Sequence, residues 1–165
     1  MPELTVEQIT ENDWELWRDL RLTALEDAPY AFGSTLAREL SYVEENWRGY
    51  FPLGSQGANF VGHLDDVASG MCAVIRPEPL GGVPLLVAMW VAPEARGTGL
   101  AEALVRAAEK WCVEHDWSRL LLHVVDGNLP AERLYRRLGY LPTGWSEPLH
   151  SDPTKNVIGF CRVLS

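Results

Sequence analysis

The stretch VAPEARGTGLAEALV, Val91 to Val105, limits what this chain can become more than any other part of it. An apolar run from Leu85 to Val91 ends just before Pro93, and two glycines follow Arg96. A helical pattern then starts at once. Leu100, Leu104, Ala107, Ala108, Trp111 and Cys112 fall on one side of it, and Glu102, Arg106, Glu109 and Lys110 fall mostly on the other. A strand that enters a helix through glycines leaves unpaired N–H groups at the positive end of the helix dipole, which is a site for phosphate. Gly97 and Gly99 let the backbone approach an anion with no Cβ in the way. Two phosphate loops are excluded. A P-loop requires Gly-Lys-Ser/Thr where this chain has Gly99-Leu100-Ala101, and a dinucleotide fingerprint requires a third glycine where it has Glu102.

The rest of the chain supplies strands and helices around that junction. Leu4 to Ile9 reads as a strand, and Thr10 or Asn12 caps a helix that runs to about Asp27. Pro29 and Gly33 break it, and a second helix is expected over Leu36 to Tyr50. Strands follow at Phe60 to Leu64 and Ala68 to Arg76, joined as a hairpin across Asp65 and Asp66. Leu85 to Val91 is apolar enough for a strand buried on both faces. After the long helix, the run RLLLHVV from Arg119 is another buried strand, and LPAERLYRRLGY is a short helix with Gly139 as its C-cap. Strands near Tyr140 to Trp145 and Val157 to Val163 close the order β-α-α-β-β-β-α-β-α-β-β. This is an α/β chain with a mixed sheet, read as one domain over residues 1–165.

Composition narrows the partners. The formal net charge is −9, which argues against nucleic acid, since phosphate tracts are met by clustered Lys and Arg. No apolar run reaches the roughly 18 residues of a membrane span, and the N-terminus has neither a basic start nor an apolar core, so no signal peptide is expected. Cys72, Cys112 and Cys161 make no CxxC and no zinc spacing. They read as reduced thiols in a cytoplasmic protein without a metal, either monomer or homodimer.

Arg96-Gly97-Thr98-Gly99-Leu100-Ala101 resembles the pyrophosphate-binding motif Arg/Gln-x-x-Gly-x-Gly/Ala of the GNAT superfamily of acyl-CoA-dependent N-acyltransferases. A second motif of that family is an Asn at the end of the next strand, then a helix with Tyr and Leu-Gly-Phe/Tyr. It is matched by VVDGNLPAERLYRRLGY, with Asn128, Tyr135, Leu138, Gly139 and Tyr140 in that order. The resemblance covers about residues 60 to 145. It implies a mostly antiparallel mixed sheet, splayed in the middle and flanked by helices, that uses acetyl-CoA. By the same resemblance the N–H groups of Arg96, Gly97, Thr98, Gly99, Leu100 and Ala101 hold the pyrophosphate. Met89 and Val91 pair with the pantetheine arm, the Met89 N–H faces the acyl carbonyl, and Asn128 and Ala131 contact the arm.

Tyr135 then corresponds to the tyrosine that protonates the departing thiolate. The glutamate base that many relatives carry on the strand before the motif is missing, because Leu85 to Val91 contains no acid. His123 interrupts LLLHVV where some ribosomal-protein N-acetyltransferases of the superfamily have a glutamate base, and an imidazole suits the task. His63, His115 and His150 read as surface or packing residues. In the family the first helices and their connection cover the acceptor site, which puts Tyr30, Phe32, Glu39 and Trp47 near it. The acceptor is a small amine, polyamine, antibiotic or peptide N-terminus. A catalytically weak acyl-CoA-binding module, sensing or scaffolding, is the alternative.

Overall fold

Thr10 ends the first strand, β1 (Leu4–Ile9), and its hydroxyl accepts from the Asn12 N–H while Asp13 accepts from the Thr10 N–H. That reciprocal cap opens a 3-10 turn and then α1 (Trp14–Asp27). The computed structural model describes all 165 residues. The single helix expected over Leu36 to Tyr50 is two short ones, α2 (Leu36–Leu40) and α3 (Glu44–Arg48). Val43 is extended between them, with φ −99° and ψ 172°, and the Asn46 side chain accepts from its N–H at 2.9 Å. A side chain that caps locally competes with helix continuation, and here the cap wins.

β2 (Gly57–Leu64) and β3 (Val67–Ile75) form the expected hairpin, with Asp65 and Asp66 both at positive φ. β4 (Leu85–Val91) leads into α4 (Leu100–Glu114), and β5 (Arg119–Val125) leads into α5 (Leu129–Arg137). The last pair, β6 (Leu141–Leu149) and β7 (Asp152–Val163), is longer than its apolar residues suggest. Strand order is β1-β2-β3-β4-β5-β7-β6, and only β4 and β5 are parallel neighbours. The mixed, mostly antiparallel, helix-flanked sheet implied by the resemblance is the sheet that forms.

One core lies under α4 and α5, the other under α1 and α3. Leu100 and Leu104 are fully buried, at about 1.5–3 kcal/mol each. They sit so close to the cross-strand pair Gly62 and Gly70 that a Cβ at Gly62 would meet Leu100 Cδ1 at 2.8 Å. This close seat fixes the first turn of α4 against the sheet. Glu109, expected on the polar side of α4, is buried instead. It accepts hydrogen bonds from Arg106 (2.8 Å), Arg162 (2.8 Å) and the Tyr140 hydroxyl (2.7 Å), which tie α4 to β7 and to the end of α5. Gly139, at φ +100°, terminates α5, and the Tyr140 N–H donates back to the Tyr135 carbonyl at 2.9 Å. No helix is long and apolar enough to cross a membrane, and no cluster of three or more His, Cys, Asp or Glu could hold a metal.

Candidate functional site

β4 and β5 separate early. They pair only at Leu85 with Leu121 and Leu86 with Leu122. From Val87 onward the β4 edge that faces β5 has no strand partner. The cause lies in β4, where the register against β3 slips between Met71/Trp90 and Ala73/Val87. Ala88 sits in this bulge at φ +55°, a conformation a non-glycine residue adopts only at a cost. The bulge also reverses the facing of the strand. Val87 and Ala88 both pack toward α1, then Met89 packs toward α4, Trp90 toward α1 and Val91 toward α4.

At the end of β4 the junction leaves several backbone N–H groups without partners. Gly97 and Gly99 have φ +78° and +94°, and open space surrounds the position of a Cβ at Gly97. The N–H groups of Gly97, Thr98 and Gly99 donate to no backbone carbonyl, whereas that of Arg96 donates to Pro93 O at 3.3 Å. Leu100 N–H reaches only the Thr98 hydroxyl, at 3.4 Å, and Ala101 lies in the first turn of α4. The Arg96 side chain turns away from the loop. Its Nε donates to Val91 O at 3.0 Å, and its Nη2 donates to Asp27, which also accepts from the Trp90 indole at 3.0 Å. These bonds, the Trp90 one foremost, hold the Asp27 carboxyl below the usual carboxylate range. The loop borders a cavity of about 530 Å³, whose far wall on α5 carries Arg133 and Arg137. Neither arginine forms an ion pair. Their i, i+4 spacing was visible in the sequence, but only the fold aims it at the loop.

The gap between β4 and β5 is lined by Met89, Asn128, Ala131, Tyr135 and His123 among others. Asn128 caps α5, its side chain accepting from Ala131 N–H at 3.4 Å. Tyr135 comes from α5 on one face of the sheet and is buried, and its hydroxyl has no hydrogen-bond partner in the protein. Burial pushes its phenol well above the ordinary value near 10. His123 reaches the gap from the other face, because alternation along β5 sends Leu120, Leu122 and Val124 under α4. Its ring stacks on Trp145, with centroids 4.3 Å apart and planes at 18°. Half-burial lowers the imidazole pKa from 6.5, and the nearby Glu147 charge offsets part of that. His123 and Tyr135 are the only titratable side chains that line the gap.

On the α1 face the gap opens into a cavity of about 460 Å³. Phe32 lines both spaces. Glu39 is fully buried below it, in a two-bonded pair with Arg21 (2.9 and 3.0 Å), and accepts from the Tyr50 hydroxyl at 3.0 Å. Trp47 is core, and Tyr30 is exposed with Lys155 5.9 Å from its ring, so neither lines the cavity. His150 does line it. His63 lies 3.7 Å from Glu7, and His115 stacks on Trp111, both away from the gap. Nothing local in the sequence marks Trp145, Glu147, Arg21 and Tyr50. They converge only through the β6–β7 pairing and the α1–α3 packing.

Residues 9–140 match a family model described as the acetyltransferase (GNAT) family. A provisionally named ribosomal protein bS18-alanine N-acetyltransferase of Bacillus subtilis is 40% identical over 62 residues, 38% of this chain and 41% of that protein. An uncharacterized N-acetyltransferase of Schizosaccharomyces pombe is 31% identical over 87 residues, 53% of this chain and 52% of that protein. The matches thus span about half or less of these relatives' length. A provisionally named acetyltransferase of Salmonella typhimurium, solved with its cofactor acetyl-CoA, superposes with TM-score 0.79 at 13% identity, covering 99% of this chain and 95% of that one. At that identity the likeness shows a shared fold.

Proposed function

Since this chain belongs to the GNAT acetyltransferase family, we propose that it moves an acetyl group from acetyl-CoA to a primary amine by direct attack. The observation that carries this reading is the pair of titratable groups, His123 and Tyr135, facing one gap from opposite sides of the sheet. Acetyl-CoA supplies the activated acyl thioester. The residues present suit it. Free N–H groups at Gly97, Thr98 and Gly99, with Arg133 and Arg137 opposite, match a pyrophosphate. The β4 edge at Met89 and Val91, which no strand pairs, suits the amide-bearing arm, with Asn128 and Ala131 across the gap.

An alkylammonium has a pKa of about 10.4 and must lose a proton before it can attack. His123 accepts that proton. The amine nitrogen then forms its bond to the acyl carbon as the carbon–sulfur bond breaks, Tyr135 gives its proton to the sulfur, and the second proton that the nitrogen sheds on becoming an amide restores the Tyr135 phenol through solvent. Burial raises the phenol, as it raises the buried Cys72 thiol, and it moves a thiolate in the same gap in the same direction. The pKa difference between donor and acceptor therefore stays small. An N–H of Met89 directed at the acyl oxygen stabilises the charge that develops there.

Tyr135→Phe is expected to lower kcat by no more than about a hundredfold, the low end for a general acid, with acetyl-CoA affinity unchanged. Parallel loss of acetyl-CoA binding would mark Tyr135 as a packing residue. The second reading, a CoA-binding module without chemistry, draws on the absence of any acid on β4. It requires acetyl-CoA to bind and never turn over.

A further inference from the structure

The cavity on the α1 face has a lopsided chemistry. Trp17, Phe32, Tyr50 and Trp145 supply aromatic walls, and Ile75 and Val87 supply aliphatic ones. Two formally charged side chains line it, Arg21 and Glu147. Arg21 is spent, since both its hydrogen bonds go to the buried Glu39 and its guanidinium lies 4.7 Å from the Phe32 ring centre. Glu147 is free. It stands on β6 two residues beyond Trp145, exposed and lining the cavity, and its carboxylate has no ion pair or hydrogen bond to the protein. His123, stacked on Trp145, is at the inner end of the same cavity, where it meets the gap.

We propose that Glu147 binds the ammonium of the acceptor and delivers it to His123, and that the acceptor is a monoamine with an aromatic or bulky apolar body. This rests on the acetyltransferase reading above. A single unpaired carboxylate matches a single positive charge. Aromatic walls remove apolar surface from water and attract a cation, and the lining holds no second free carboxylate for the further charges of a polyamine. A volume of about 460 Å³ is that of a small-molecule site. The same chemistry occurs in a free arylalkylamine and in a peptide whose first residue is aromatic.

Glu147 also bears on the proton transfer. Around His123 stand Glu147 on β6, His150 after it, the closed Arg21–Glu39 pair with Tyr50, Arg119 earlier on β5, and Tyr135 across the gap. Glu147 is the one whose charge favours the imidazolium, so its loss moves the acid limb of the rate to lower pH.

The test compares 2-phenylethylamine, the dipeptide Phe-Ala and spermidine as acceptors, for wild type and for Glu147→Gln and Glu147→Asp. Amine binding is followed separately by tryptophan fluorescence. We expect an aromatic amine to exceed spermidine in kcat/KM, the better of the two aromatic arms naming the source. Glu147→Gln should raise the acceptor KM and weaken its binding about tenfold. It should leave acetyl-CoA affinity unchanged and lower the pH of the acid limb, and Glu147→Asp should recover part of the loss. Preference for spermidine, or an unaltered acceptor affinity in Glu147→Gln, overturns the proposal. Amine binding that depends on Glu147 without any turnover supports it while overturning the acetyltransferase reading.

Discussion

Replacing His123 by alanine is expected to lower the acetylation rate by about 10² to 10⁴, the span of a general base, while the protein still binds acetyl-CoA and melts cooperatively. In the wild type the rate should rise with pH through the His123 pKa, because only the neutral imidazole can accept a proton. Half-burial holds that pKa below the ordinary 6.5, so the acid limb lies below pH 6.5 and the base is free at neutrality. His123→Ala should remove that limb. An acceptor of low pKa keeps its own ionisation out of the same range. His123→Glu should restore part of the rate, with a limb at carboxylate pH. A fall of less than about threefold would hand the proton to water and leave His123 as a stacking partner of Trp145.

Glu39→Ala is expected to cost about 3–5 kcal/mol, because it leaves the Arg21 charge buried without its partner. For a chain of this size that is a melting temperature about 6 to 20 °C lower. Burial pushes the Glu39 carboxyl up, but the hydrogen bonds and charge of Arg21 outweigh it, so its pKa falls below 4.5. A depressed carboxyl contributes stability that is present above its unfolded pKa and is lost as pH falls through the folded one. The gap in melting temperature between wild type and Glu39→Ala should therefore narrow below about pH 4.5. Arg21→Met combined with Glu39→Leu should recover most of the loss, since apolar replacement of a buried pair is often neutral. A cost under about 1 kcal/mol for Glu39→Ala would place the pair among ordinary surface ion pairs.

Much of the frame is legible in the sequence because glycine writes local geometry into it. Gly97, Gly99 and Gly139 all sit at positive φ, and each marks a helix end that its neighbours also signal. Periodicity found every strand of the sheet, since alternation and apolar runs are properties of a few adjacent residues. The splay was implied only by resemblance, and its local cause was hidden. Alanine at 88 carries no mark of φ +55°, so Leu85 to Val91 reads as one smooth strand where it is a bulged one that changes face. The break between α2 and α3 depends on one capping bond from Asn46 within an otherwise helical pattern. The cavity on the α1 face was least legible. Arg21, Tyr50, Trp145 and Glu147 lie far apart in the chain, and only β6–β7 pairing and α1–α3 packing bring them to one cavity. Glu109 fits the polar face of α4 by pattern, yet three donors from α4, Tyr140 and β7 meet there and bury it.

If the gap between His123 and Tyr135 performs acetyl transfer, the protein must release CoA in an amine-dependent way. The purified protein is mixed with acetyl-CoA, and free thiol is followed with and without a panel of primary amines that includes 2-phenylethylamine. Acetyl transfer there gives slow release alone, fast release with at least one amine, and N-acetylated amine formed in equal amount to CoA. Tight binding of acetyl-CoA with no amine raising the release above the background would contradict it, and would make the chain a CoA-binding module.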